Sequence, residues 1–345
     1  MDACSKRKEQ GAIVVLVAVA LIALIGMAAL TIDVGQLVFA AQVAQDVADA
    51  GALGAGLELP DSGLAQSVAL EIVEANNESA GGFTATCQPD DGDIQFWGAN
   101  ETIPDFGLLG DYAWGMRVTV HIPVDYVFAP VLGQEGATVQ RSCTVVRMPV
   151  GGVPICPMWI SYETNYQYGQ EQQLLMADGP HFANIPGSFS WLEPPSGDTN
   201  IVLDLLRGYQ VPYEDIVANY VSINDICTAR TGLAVGQWAK ALDTSPDGLA
   251  RMDRAMWEPW TGDTFDSFHN DNPRIIIVPM CEYIGGTGDN AEFQIHAFGA
   301  FYIESINSKK KPYSINGRFI EYHLPGAAGD PLAPETGLWT VKMVQ

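Results

Sequence analysis

Residues 12–32 read AIVVLVAVALIALIGMAALTI, a run without a single charge. At about 1.5 Å of rise per residue a helix of this length spans roughly 30 Å, the thickness of a bilayer's hydrocarbon core. The continuation, residues 33–57, reads DVGQLVFAAQVAQDVADAGALGAGL and contains no proline. One unbroken helix over residues 12–57 is therefore expected, membrane-spanning in its first half and a stalk in its second. The apolar region of a cleaved secretory signal is about 7–15 residues, shorter than this run. A buried core helix of this length would show polar breaks beyond Thr31. The anchor is read through Ala12, Leu16, Leu21, Leu24 and Ile32. Lys6, Arg7 and Lys8 precede the span in a tail (residues 1–10) that is short, polar and expected to be poorly ordered, and Asp33 follows the span. Basic flanks stay cytoplasmic, so the N-terminus is expected inside and everything after Pro60 outside, on a single-pass cell-membrane protein.

The stretch TIDVGQLVFAAQVAQDVADAGALGAG resembles the N-terminal segment of TadG-like (TadE/TadG-type) Tad/Flp pilus-assembly proteins. The motif residues are Gly11 before the apolar run, Asp33 and Gly35 after it, then Gln45, Ala48, Asp49, Ala50, Ala52 and Leu53. Gly56 stands where the pattern ends in alanine. RVTVHIPVDYVFAPVLG followed by ATVQRSCTVV is similar to the family's paired strands around a Phe-x-x-x-Leu-Gly turn. IPGSFSWLE and IIIVPMCEY resemble the distal domain of some members. The chain lacks the basic residue often found near Val38–Gln42. It also lacks the von Willebrand A-type metal motif, which Asp243-Thr-Ser245-Pro-Asp247 does not satisfy. The resemblance implies a non-enzymatic pilus component, an assembly protein or minor pilin, whose N-terminal helix contacts other pilus subunits. Prepilin peptidases cut after a glycine such as Gly11, with Glu five residues on; Leu16 occupies that place, so an intact anchor is expected.

The formal charge is −24, and without the cytoplasmic tail (net +1) about −25 remains outside. Such a surface repels nucleic acid and anionic lipid and keeps a protein soluble. Cys4 lies in the tail as a free thiol. Cys87, Cys143, Cys156, Cys227 and Cys281 lie on the side where disulfides persist, so two bridges and one odd cysteine are expected, with the pairing left open.

The fold class expected is α+β: the anchor and stalk helix, then extracytoplasmic α+β domains with antiparallel sheets. The boundaries read as 1–58 for tail, anchor and stalk, 59–150 for a small α+β domain, and 151–345 for a distal, Trp-rich, α+β or mainly β domain. Small residues crowd the stalk (Gly35, Ala40, Ala44, Ala48, Gly51, Ala52, Gly54, Ala55) and let helix backbones approach closely. Both a partner helix and the chain's own domain remain open as the surface they meet. Pro60-Asp61-Ser62 ends the stalk and caps residues 62–76, an amphipathic helix through Leu64, Val68, Ile72 and Val73. The Asp90–Asp93 turn has too few oxygen ligands at fixed spacing for calcium. Residues 93–98, 116–124 and 137–148 read as strands, with Val118, Val120 and Ile122 on one face and Thr119 and His121 on the other. Gly151-Gly152-Val153-Pro154 reads as a linker. Beyond it, short helices are expected at 201–207, 213–220, 232–242 and 249–257, a buried strand at 275–280, and a hairpin over 292–306 and 313–322 tipped by Lys309–Lys311. Trp159, Trp191, Trp238, Trp257, Trp260 and Trp339 serve as core or as a stacking platform for an unidentified surface ligand.

No catalytic, cofactor-binding or metal-ligating set is read. His121, His181, His269, His296 and His323 show no helical metal spacing, Gly187–Ser190 misses a nucleophile elbow, and Gly285–Gly288 lacks the lysine of a phosphate loop. A pair such as Glu163 and Glu171 is weak ground for hydrolysis in so acidic a chain. The alternative to a pilus component is a membrane-tethered surface binding or adhesion protein.

Overall fold

The computed structural model describes residues 2–77, 81–154, 158–162, 168–175, 192–198, 212–229, 262–270, 272, 274–307 and 314–344. Cys156, Glu163, His181, Trp191, Trp238, Trp257, Trp260, the lysine triplet at 309–311 and the helices expected at 201–207, 232–242 and 249–257 lie outside the described residues. In chain order the elements are helix α1 (Asp2–Gly56), helix α2 (Ser62–Asn76) and strands β1 (Ile94–Trp97), β2 (Thr102–Ile103), β3 (Gly107–Leu108), β4 (Trp114–Asp125), β5 (Gly136–Pro154), β6 (Ile160–Ser161) and β7 (Glu171–Leu175). Helix α3 (Tyr213–Ala218) follows, then β8 (Tyr220–Ser222), β9 (Ile226–Thr228), β10 (Ile275–Gly285), β11 (Glu292–Asn307), β12 (Ser314–Ile320), β13 (Tyr322–His323), β14 (Ala328–Gly329) and β15 (Leu338–Val344). The class is α+β, a long apolar helix followed by a strand-rich region with antiparallel and some parallel pairing. Two compact units result: residues 1–97, 114–146 and 343–345, and residues 98–113 with 147–342.

In the first unit α1 begins at Asp2, so the polar tail continues the helix. Its Lys, Arg, Glu and Gln residues are good helix formers and nothing in it breaks the ladder. Asp61 caps α2, its side chain accepting the Leu64 N–H at 2.9 Å. The buried face of α2 is Ala65, Ala69 and Val73, and the expected Leu64 is exposed. The alanine face wins because α2 meets the small residues of α1. A Cβ added to Gly51 would touch both Val73 and Val118, and one added to Gly54 would collide with the Ile72 side chain. β4 lies between β1 and β5, antiparallel to β1 with Ile94 opposite Val118. Met116, Val118, Val120 and Ile122 alternate onto the fully buried face, while His121 stays half-buried on the other.

The second unit is built on an antiparallel run of β10, β11, β12 and β7, with β9 also paired to β11 and β6 parallel to β10. Trp159 packs on Phe293 with ring centroids 4.2 Å apart, in a core that also holds Val150, Val153, Phe298 and Tyr302. Trp339 is sandwiched between the Arg147 guanidinium at 4.3 Å and the His323 ring at 4.6 Å. Burial and that nearby guanidinium hold the His323 pKa below its ordinary value. The Gly151–Pro154 segment is the end of β5 and no linker. Its glycines answer a need for space: a Cβ at Gly151 would lie 2.7 Å from Asp330 Cβ, and one at Gly152 would lie 2.6 Å from the Tyr220 ring.

The expected disulfides are absent among the described residues, where Cys87, Cys143, Cys227 and Cys281 are free thiols. Strand order separates them. Cys227 on β9 lies opposite Phe293 and Cys281 on β10 opposite Ile295, so β11 runs between them. Two strand spacings put their Cα atoms about 10 Å apart, beyond the roughly 7 Å a disulfide tolerates. β4 keeps Cys87 from Cys143 in the same way: Thr86 bridges to His121 on one side, and β5 runs along the other. Burial raises the Cys87 and Cys227 thiols to about 11 and Cys143 to about 12, and pushes Cys281 well above its ordinary 9.0.

Candidate functional site

α1 changes character at Asp33. From Val15 to Ile32 the large apolar side chains are exposed: Leu16 is 71 %, Leu21 54 %, Leu24 62 % and Ile32 49 % exposed. The stretch from Val15 is long and apolar enough to cross a membrane. Ala12 and Gly11 lie on the same continuous helix, upstream of these leucines. After Asp33 one face is lined by Ala40, Ala44, Ala48, Ala52 and Ala55, each fully buried against the chain's own unit. The small-residue stripe is thus occupied from within. The large apolar residues past Asp33 that stay exposed are Val34, Val38, Phe39, Leu53 and Leu57.

Asp33 itself is only 3 % exposed. Its carboxylate accepts backbone N–H groups from Val127 at 2.8 Å and Ala129 at 2.7 Å, and from Phe128 at 3.2 Å. These amides open a 3₁₀ turn, Ala129–Leu132, that has Pro130 in its first positions and closes on Gly133 in the left-handed region at φ 82°. A carboxylate with no polar partner is costly away from water, and backbone amides at the start of a helical turn are suited to a negative charge. The acid therefore draws the β4–β5 connection onto the helix at the end of the apolar run.

The other motif residues differ in their surroundings. Gln45 donates through Nε2 to Asp49 Oδ1 at 2.7 Å, one turn apart on α1. Burial, and then the nearby Asp49 carboxylate, raise the Cys143 thiol, whose Sγ lies 3.9 Å from the Thr144 carbonyl oxygen. Ala52 is buried in the unit and Leu53 is 36 % exposed. No neighbour lies near the position a Cβ of Gly35 would take, and nothing in the structure explains a glycine there.

On the face of β4 turned away from α1 lies a polar cleft of about 600 Å³, lined by Thr86, Asp93, Arg117, His121, Gln140 and Ser142 among others. Asp93 is turned into the fold, with Oδ1 2.8 Å from His121 Nε2 and Oδ2 accepting the Gln88 N–H at 2.8 Å. Arg117 Nε donates to Thr144 Oγ1 at 2.8 Å and its guanidinium sits 5.4 Å from the Trp97 ring centroid. The cleft offers hydrogen bonding and one guanidinium.

The partnership of Asp33 with residues 127–129 is not visible in sequence pattern. A lone acid abutting a charge-free run, and an Ala-Pro-x-Leu-Gly turn far along the chain, are the only traces of it. Residues 11–62 match the family model described as putative Flp pilus-assembly TadE/G-like, leaving residues 63–345 outside the match. No curated protein and no solved structure matches the chain. The matched segment takes in α1 from Gly11 to its end, with Asp33 and the buried alanine stripe, so what this chain carries at its N-terminus is a TadE/G-like Flp pilus-assembly segment.

Proposed function

We propose that the protein is a membrane-anchored, non-enzymatic component of a Tad/Flp-type pilus system, serving as an assembly protein or minor pilin. The observation that carries this is the family match coinciding with a helix that leaves its large apolar side chains exposed from Val15 to Ile32 and is packed along one face after Asp33. The apolar half, through Ala12, Leu16, Leu21, Leu24 and Ile32, holds the chain in the bilayer. Lys6, Arg7 and Lys8 keep the tail cytoplasmic and the folded units lie outside the cell. Work is done by binding: the apolar residues left free on α1 meet helices of other pilus subunits within or beside the membrane. The chain acts as a tether or subunit, without turnover.

The test is to shear filaments from cells and probe filament and membrane fractions for the chain and its length. Recovery of the full-length chain in membranes, with loss of pili on its deletion, supports an assembly protein. Recovery in filaments of a chain cut after Gly11 supports a minor pilin. Unchanged piliation on deletion, with the protein absent from filaments, overturns the pilus reading.

A further inference from the structure

We infer that the connection between β4 and β5, residues 127–133, is a second membrane contact, an apolar wedge that enters the edge of the bilayer beside α1. The inference rests on the reading of residues 12–32 as a membrane anchor. Asp33 is the first residue after that run, so it marks the depth at which the helix leaves the hydrocarbon. The loop is bonded to that same residue through three consecutive amides, and so sits at the same depth. Four of its apolar residues are turned outward: Val131 is 90 %, Val127 58 % and Phe128 41 % exposed, and Pro130 is exposed with them. Ile32 and Val34 of α1, on either side of Asp33 in sequence, are exposed as well.

Charge decides between acyl boundary and headgroup as the partner. From Val118 to Gln140 the sequence has no lysine or arginine, and the loop is flanked by Asp125 and Glu135. Anionic headgroups would repel this segment, so the attraction is apolar and zwitterionic lipid suffices. Tyr126, at the loop's base, is the kind of residue enriched at membrane–water boundaries. The clasp and the wedge support each other. A carboxylate at the hydrocarbon edge needs donors, and the loop that supplies them brings apolar side chains to the same level. A helix that would otherwise be a single flexible tether becomes fixed in depth and rotation.

The test uses the full chain in phosphatidylcholine vesicles, with Cys4→Ser, Cys87→Ser and Cys156→Ser, since Cys87 is a partly exposed free thiol, and one environment-sensitive fluorophore placed by Leu24→Cys, Val131→Cys or Gln95→Cys. Spin-labelled lipids carry the quencher near the headgroup or near the chain end. Val131 packs on little, so its replacement leaves the fold intact, and amide protection at 127–129 verifies that. The expected result is strong quenching at Leu24 by the deep label, a blue shift and loss of emission at Val131 with the shallow label, and neither at Gln95. Quenching at Leu24 with a water-like, unquenched probe at Val131 overturns the wedge and leaves the anchor standing. A water-like probe at both Leu24 and Val131 overturns the anchor reading and the wedge with it. A probe at Val131 that becomes dry only in assembled pili, without lipid quenching, overturns the wedge in favour of a protein neighbour.

Discussion

The two stretches of α1 either side of Asp33 both avoid water with apolar residues and are opposite in what they do. Residues 12–32 are rich in Leu, Ile and Val, and the large side chains described there are about half exposed or more. Residues 33–56 are rich in Ala and Gly, and one face is buried to the last atom. The difference is side-chain size. Long aliphatic chains present the most apolar area to lipid, while methyl groups and hydrogens let a second helix and a sheet come close enough to bury a narrow stripe. Asp33 stands at the change and holds the loop that marks it. Within one helix, then, apolar content says that water is avoided, and side-chain volume says what replaces it.

The contrast breaks most sharply if bulk is put into the packed half. Ala48→Leu is expected to cost about 3 kcal/mol, at the upper end for overpacking because the site is closed by elements on more than one side. Hydrogen exchange in α2 and β4 of the detergent-solubilised chain reads this as faster opening, and unchanged protection would mean the stripe is not a packed interface. Asp33→Ala comes next. It leaves the buried Ala129 amide without its partner and removes charge-assisted bonds, for about 2 kcal/mol of local stability. Loss of protection confined to residues 127–129 is the expected signature, with Asp33→Asn falling between.

A smaller effect sharpens the packed half by pH. The Cys143 thiol sits at about 12 in the fold against an ordinary 9.0, because burial and then Asp49 disfavour the thiolate. A pKa raised on folding adds stability that is whole below 9 and drains away as pH rises from 9 toward 12. Cys143→Ala should flatten that part of the alkaline unfolding curve, and an unaltered curve would place the alkaline loss elsewhere. The smallest effect belongs to the exposed apolar half. Leu24→Ala should leave the exchange of both folded units within about 0.5 kcal/mol, as for a side chain that touches no other part of the protein. A larger change would show Leu24 packing on the fold.

Some elements were legible because their cause is local. The charge-free run, the Asp61 cap with α2 after it, and the alternation through Val118, Val120 and Ile122 are periodicities and caps written in adjacent residues. The β10–β11 hairpin closes at Gly285 and Gly286 as its glycines suggest. Other readings failed where the cause is a distant neighbour. Gly151 and Gly152 looked like a linker, and their real constraint comes from Asp330 and Tyr220. The cysteines looked like bridge partners until a strand was found between them. On α2 the choice of Ala65 and Ala69 over Leu64 follows from the shape of α1.

The sequence by itself determined that an apolar helix stands near the N-terminus, that residues 11–62 resemble a pilus-assembly segment, and that an α+β region follows, since each rests on composition, period or motif within a short window. Only the tertiary structure decided that the stalk's alanine stripe is buried within the chain's own unit, that the thiols among the described residues stay unbridged, and that Asp33 holds a loop 94 residues further on. A buried carboxylate must find donors wherever the fold brings them, and that pairing is fixed by three-dimensional proximity, which no local pattern records.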